Sequence, residues 1–265
     1  MKITNLKKLK PKKLIVFDLD GTLANSKTYA DAEMIALFTE LLGSKKVAVI
    51  GGGKYALFKY QLMSQLKPSK DLFKNLALFP TTATAMYRYN SGWKRVYYIE
   101  LSKSERAEIK KTFARVFKEI GYKHPKKTYG PIIEDRGTQV TFSALGQEIV
   151  SMLGKKGLAM KDKWRDENTA TKLKIAKLMG KYLPNLEIRA AGHTSVDVTK
   201  KGIDKAYGLK QVEKYMNVKI KDMLFVGDAI FPGGNDYAIT KTPIDYVAVK
   251  GPEDTKKVIR AVLTQ

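Results

Sequence analysis

The chain of 265 residues contains no cysteine, only two histidines and two tryptophans, and no apolar run approaching a membrane span. The missing cysteines exclude disulfides and thiolate metal sites and fit a cytoplasmic address. A membrane-spanning helix needs roughly 20 consecutive apolar residues, so no membrane partner is expected. The N-terminal stretch M-K-I-T-N-L-K-K-L-K-P-K-K is basic and lacks the apolar segment of a secretory signal. His124 precedes Pro125 and reads as a solvated loop residue, and His193 is a minor candidate for substrate contact. Trp93 and Trp164 read as packing residues.

Acidic residues are also scarce: 26 Asp and Glu stand against 49 Lys and Arg, giving a net charge of +23. Such a balance favours anionic partners, from phosphorylated metabolites to nucleic acid. A dedicated nucleic-acid binder concentrates its charge on one element. Here the lysines run along the whole chain, and the dense cluster in the first 13 residues reads as a solvated tail. A phosphorylated small molecule is therefore the expected partner, with nucleic acid the lesser alternative.

The densest chemical information lies in residues 14–23, L-I-V-F-D-L-D-G-T-L. In an extended strand residues i and i+2 face the same side, so Asp18 and Asp20 emerge together where the strand stops. Gly21 permits a sharp turn, and the Thr22 hydroxyl can hold it. Two carboxylates this close repel unless a cation lies between them or one takes a proton. The arrangement suits a nucleophilic carboxylate, an acid/base carboxylate and a hard divalent ion such as Mg²⁺.

Apolar periodicity predicts a strand at about Lys13–Phe17 and a helix near Thr28–Leu42 ended by Gly43. A strand at Val47–Ile50 runs into Gly51-Gly52-Gly53, and a helix follows with Tyr55, Phe58, Leu62 and Leu66 on one face. Strand and helix alternation points to a parallel α/β sheet. Short alternating strands come next, at Arg95–Glu100, Ile132–Asp135 and Gln139–Ala144. A helix over Ser104–Ile120 carries a Ser102/Glu105 capping box. A helix at about Glu167–Tyr182 precedes strands Glu187–Ala190 and Thr194–Val198. The parallel pattern then resumes with helix Ile203–Met216, strands Met223–Val226 and Tyr246–Val249, and a last helix from about Thr255. The expected organisation is a core of residues 1–83 plus 199–265, with residues 84–198 inserted as an α+β cap.

Parallel sheets bind ligands beyond the carboxyl ends of their strands. Besides Asp18 and Asp20, two such ends are conspicuous. The backbone amides of Gly51–Gly53 can cradle a phosphate. The segment G-D-A-I-F-P-G-G-N-D brings Asp228 and Asp236 toward the first carboxylates as an oxygen-rich cation site. Lys205 sits in the first turn of a helix, where acidic residues are the norm. That placement makes sense if its ammonium reaches a phosphate or the nucleophilic carboxylate.

Together these segments resemble the haloacid-dehalogenase superfamily of phosphoryl-transfer enzymes. Within it they resemble the branch of eukaryotic-type phosphomannomutases. The residues carrying the resemblance are F-D-L-D-G-T (17–22), V-I-G-G-G-K-Y (49–55), I-E-D-R-G (133–137), G-H-T-S-V-D-V-T-K-K-G-I-D-K (192–205) and G-D-A-I-F-P-G-G-N-D-Y (227–237). The resemblance implies a Rossmann-like parallel-sheet core with an inserted α+β cap. It also implies an aspartyl-phosphate on Asp18, acid/base work by Asp20, and phosphoryl binding by Lys205, Gly52 and Gly53. Mg²⁺ would be held by Asp18, the backbone carbonyl of Asp20 and Asp228, with Asp236 close by. Arg136, Ser195 and Asp197 match cap positions that contact a sugar phosphate, and such caps often form homodimers.

The chain departs from the pattern at three arginine positions, occupied here by Lys27, Tyr129 and Gln147. A mutase must grip the far phosphate of a bisphosphate while it reorients, and arginine's planar fork does this bidentately. A hydrolase needs only one phosphate and a water. The sequence thus points first to a Mg²⁺-dependent phosphatase of sugar phosphates. A phosphomannomutase or phosphoglucomutase is the alternative, and a protein acting on polynucleotide ends comes third.

Overall fold

The computed structural model describes every residue except Ser26, Lys27 and Pro68. Two compact units are distinguished. The first comprises Met1–Tyr98, Asp204–Pro232 and Asp236–Gln265, and the second Ile99–Ile203 with Gly233–Asn235.

In the first unit, strands β1 (Leu14–Phe17), β2 (Lys46–Ile50), β3 (Leu76–Phe79), β10 (Met223–Gly227) and β11 (Asp245–Ala248) form the parallel part of a seven-stranded sheet. The strand order is β11-β10-β1-β2-β3-β4-β5, where β4 (Ala85–Tyr89) and β5 (Trp93–Tyr98) add on antiparallel. Continuous apolar runs such as L-I-V-F suit strands covered on both faces. Ile15, Phe17, Val47, Val49, Leu224 and Val226 share one core with residues of α1 (Ala32–Ser44) and α6 (Pro252–Leu263). Leu14, Val16, Ala48, Ile50, Met223 and Phe225 face the other way, toward α5 (Lys205–Met216). Side-chain alternation along each strand thus produces a layered α/β unit, with the strand ends left for chemistry.

Local signals set several boundaries. Asp31 caps α1 by accepting from the Met34 amide at 2.8 Å, so that helix starts later than its periodicity suggests. Gly43 does not end it: α1 runs to Ser44 and closes with the Lys45 amide bonded to the Leu41 carbonyl. The segment after β2 is a single turn, α2 (Tyr55–Phe58), continued by a wide π-type turn over Lys59–Met63.

The second unit holds an antiparallel sheet ordered β6-β7-β9-β8, from β6 (Ile133–Asp135), β7 (Gln139–Ser143), β8 (Leu186–Ala191) and β9 (Ser195–Lys200). Helix α3 (Lys103–Glu119) carries the Ser102/Glu105 capping box, made in both directions. Helix α4 (Ile149–Tyr182) is far longer than its apolar stripe suggests and is interrupted at Gly154. Val140, Phe142, Val196 and Val198 join Phe113, Ile175 and Met179 of the two helices in one core.

Residues 84–98, placed in the inserted cap by sequence, lie in the first unit because β4 and β5 hydrogen bond onto the edge of β3. Residues 199–203 lie in the second, because β9 continues to Lys200 in register with β7 and β8. Among the described residues, no helix is long and apolar enough to cross a membrane.

Candidate active site

Strands β1 and β10 are parallel neighbours, so their carboxyl ends deliver Asp18 and Asp228 to one place. Asp18 continues the pairing through its amide, bonded to the Val226 carbonyl at 3.0 Å, and its side chain is buried. Carboxylate oxygens of Asp18, Asp228 and Asp236 all lie within 4.8 Å of one another.

Two glycines permit this crowding. A Cβ on Gly21, where φ is +79°, would lie 2.5 Å from Asp228 Oδ2. One on Gly227 would lie 2.4 Å from Asp236 Oδ2. Both contacts are impossible for a side chain, so the backbone closes on the carboxylates only because these positions are bare. The Thr22 hydroxyl donates to Asp228 Oδ1 at 3.4 Å.

Lys205 is the counter-charge. Asp204 caps α5 by accepting from the Tyr207 amide at 2.8 Å, placing Lys205 at the first helical position. Its buried ammonium donates to both Asp18 and Asp236. Asp236 precedes a 3₁₀ turn, Tyr237–Lys241, but its side chain does not cap it. It accepts instead from Lys205 and from the Ala229 amide at 3.2 Å.

One ammonium among three carboxylates leaves an excess of negative charge, which the titration behaviour reflects. Burial holds Asp18 well above the usual carboxylate range, and Asp236 and Asp228 push it further against the opposing pull of Lys205. Burial, then the charge of Asp236, raises Asp228 to about 6. Burial opposes the charge on Lys205, but Asp18 and Asp236 outweigh it and hold the ammonium above its ordinary range. Carboxylates this close, kept from water and short of positive charge, fit a hard divalent cation such as Mg²⁺.

Asp20 is near enough for its charge to add to the rise at Asp228. Asp20 Oδ1 accepts from the amide nitrogen of Gln61 at 2.9 Å, on the wide turn after α2. Gln61 was not legible in the sequence: it sits beside Leu62 in an apolar periodicity, and nothing there announces a π-type turn.

The Gly51–Gly53 loop follows β2 and is tied by backbone bonds to the segment after β3. The Thr81 amide donates to the Gly53 carbonyl at 2.8 Å and the Thr82 amide to Gly51 at 2.9 Å. Thr81, Thr82 and Ala83 all have left-handed φ, at 49°, 57° and 64°. Lys27, the remaining expected phosphate contact of the core, lies outside the described residues.

Arg136, Ser195 and Asp197 belong to the second unit. Alternation along β7 and β9 puts Gln139, Thr141, Ser143, Ser195, Asp197 and Thr199 on the face opposite the apolar core. Thr141 sits directly opposite Asp197 and donates to its Oδ1 at 2.8 Å. Arg136 pairs with Glu134 at 2.7 Å and donates to Gln147 Oε1 at 3.1 Å. Tyr129 is part of the unit's core, with the Lys127 ammonium 5.4 Å from its ring centre.

A family model described as eukaryotic phosphomannomutase matches residues 34–265. The phosphomannomutase of Spinacia oleracea is 27% identical over 251 residues, spanning 94% of each chain. A probable phosphomannomutase of Caenorhabditis elegans is 26% identical over 259 residues, covering 95% of this chain and 96% of its own. Among solved structures, an N-terminally truncated, IMP-bound IMP-nucleotidase of Plasmodium falciparum superposes with a TM-score of 0.68. That match has 15% identity and covers 96% of this chain and 69% of the other. A core of parallel strands ending in clustered carboxylates, an inserted antiparallel sheet and this family match agree: the chain belongs to the eukaryotic phosphomannomutase family, in the haloacid-dehalogenase superfamily of phosphoryl-transfer enzymes.

Proposed function

We propose that the chain is a Mg²⁺-dependent phosphomutase that moves a phosphoryl group between two hydroxyls of a hexose phosphate. The observation carrying this reading is the extent of the family match, which takes in the whole second unit as well as most of the first. It outweighs the hydrolase expected from the absent arginines.

In this reading an Asp18 oxygen attacks the phosphorus of a sugar bisphosphate, and the bond from phosphorus to the sugar oxygen breaks. Asp20 gives its proton to that leaving oxygen. In the return step Asp20 takes the proton of the incoming hydroxyl, whose oxygen attacks the phosphoryl group on Asp18 as the bond from phosphorus to Asp18 breaks and frees the carboxylate. Lys205 holds negative charge as it develops on the transferring group, and the Gly52 and Gly53 amides bind its oxygens. Asp18, the Asp20 carbonyl and Asp228 would hold Mg²⁺, which neutralises phosphoryl charge when bound; Asp236 anchors Lys205 beside them. Arg136, Ser195 and Asp197 would recognise the sugar phosphate from the cap.

The Asp18 carboxylate approaches phosphorus only if its own excess charge is compensated, and Lys205 is placed for that. A second reading, hydrolysis of a sugar phosphate, draws on Tyr129 and Gln147. Tyr129 is committed to packing and Gln147 to Arg136, so neither offers a cation to a far phosphate.

Incubation of the chain with glucose 1-phosphate or mannose 1-phosphate, Mg²⁺ and the matching 1,6-bisphosphate separates the two. Hexose 6-phosphate appearing only with bisphosphate is the expected result. Free hexose and inorganic phosphate, released at a rate indifferent to bisphosphate, would overturn the mutase in favour of the hydrolase. Loss of turnover in Asp18→Asn is expected in either case.

A further inference from the structure

Gln61 is fully buried, yet half of its amide lacks a partner among the described residues. Its Nε2 donates to Asp20 Oδ1 at 2.9 Å and to the Asn25 carbonyl at 3.4 Å, while its backbone carbonyl accepts from the Ala30 amide at 2.8 Å. Its Oε1 is buried without a hydrogen-bond partner among the described residues. A buried amide oxygen left unpaired weakens a fold, and an apolar side chain of the same length avoids that loss. The unpaired oxygen is the cost of presenting an amide N–H to Asp20. The local backbone points the same way, since wide π-type turns inside helical segments gather at functional sites.

We propose that Gln61 is a positioning residue that aims the Asp20 carboxyl at the reacting sugar oxygen. The N–H donor occupies Oδ1, because a proton there would point at another proton. A proton carried by the Asp20 carboxyl in transfer is thereby kept off Oδ1. The amide also fixes the rotation of the carboxyl about its last bond, which an exposed aspartate would leave free. This inference rests on the acid/base role proposed for Asp20.

Leaving-group dependence tests it. Expulsion of a sugar alkoxide needs a well-placed proton donor, whereas expulsion of p-nitrophenolate hardly does. The full chain with Mg²⁺ is assayed for phosphoryl-enzyme formation from glucose 1,6-bisphosphate and from p-nitrophenyl phosphate. In Gln61→Met, kcat/KM for the bisphosphate should fall about tenfold or more through kcat, with about twofold change or less for the aryl ester. Gln61→Glu, which keeps the length but replaces the donor with an acceptor, should show the same selective loss and decides the matter if the methionine variant does not fold. Equal losses on both substrates, or none on either, would overturn the inference and leave the role of Asp20 standing, provided that Asp20→Asn still loses sugar-phosphate turnover. Full sugar-phosphate turnover in Asp20→Asn would instead remove the acid/base reading itself. A wild-type chain phosphorylated by neither probe would remove the phosphoryl-transfer reading and the inference with it.

Discussion

The ammonium of Lys205 pairs with Asp236 as well as with Asp18, so one helix-start cation joins a carboxylate at the end of β1 to one in the loop after β10. Removing it in Lys205→Met leaves three crowded, largely desolvated carboxylates without the ammonium that pairs with two of them. Breaking such a buried arrangement from one side costs about 3–5 kcal/mol. Denaturant unfolding at pH 7 with a chelator present should show that loss. Added Mg²⁺ should recover part of the stability, because it supplies charge. It should not recover turnover, which is expected to stay at least about a hundredfold down if Lys205 has the proposed role of steadying the transferring group.

Asp228 gives the same cluster a pH signature. Its proton affinity is raised in the fold, from an ordinary 3.8 to about 6. The native state thus binds more protons than the unfolded chain between these values, and stability falls as pH rises through the window. Above about pH 6 the penalty is complete, amounting to about 3 kcal/mol at most. A cation that pairs with the carboxylate removes the penalty. Thermal melts should therefore show Mg²⁺ stabilising the chain strongly at pH 7 and weakly near pH 4.5. A Mg²⁺ effect independent of pH would mean that the ion does not engage Asp228.

How far the site could be read beforehand depended on whether a residue's signal was local. Asp18 and Asp228 each follow an apolar strand, and parallel pairing of β1 with β10 brings those ends together without further information. Lys205 stood out because a cation at a helix start needs a reason, and the reason is the carboxylate pair it reaches. The Ser102/Glu105 capping box was written in four residues and forms as written. By contrast, the helix spacing of Tyr55, Phe58, Leu62 and Leu66 hid a wide turn, and with it the contact from Gln61 to Asp20. Strand β3 is not legible, because L-A-L-F is a short apolar run with no motif at its end like the one that follows β1. Strand β4 is likewise not legible, and β5 reads as part of the inserted sheet, since antiparallel edge strands carry the same alternation wherever they pair.

Gly21 tests how tightly the backbone must close around the metal candidates. Gly21→Ala places a methyl 2.5 Å from Asp228 Oδ2 in a left-handed conformation that costs an L-residue about 1–2 kcal/mol. The methyl and carboxylate cannot both keep their places, so the Asp228 carboxylate must shift. Mg²⁺ affinity, measured by protection against thermal unfolding, should fall about tenfold or more, in line with a displaced ligand. Unchanged affinity would show that Asp228 is not held against the Gly21 backbone when the ion binds.

The left-handed run at Thr81, Thr82 and Ala83 stores strain next to the glycine loop. Three successive L-residues with φ between 49° and 64° are rare, and β-branched threonine is among the least suited to that region. The run persists because its backbone is tied down, by the bonds from Thr81 and Thr82 to the glycine loop and by the Tyr97 hydroxyl donating to the Ala83 carbonyl at 2.9 Å. Asparagine adopts this conformation far more readily than threonine. Thr82→Asn should therefore stabilise the chain by about 1 kcal/mol, a rise in Tm of roughly 2–4 °C for a protein of this size. A conventional buried threonine replaced by asparagine would lose stability, so the sign separates strain relief from ordinary packing. Because the loop is held through backbone atoms, KM for the phosphorylated substrate should stay where it is. Destabilisation by Thr82→Asn would mean that the threonine side chain contributes more by its contacts than its backbone conformation costs.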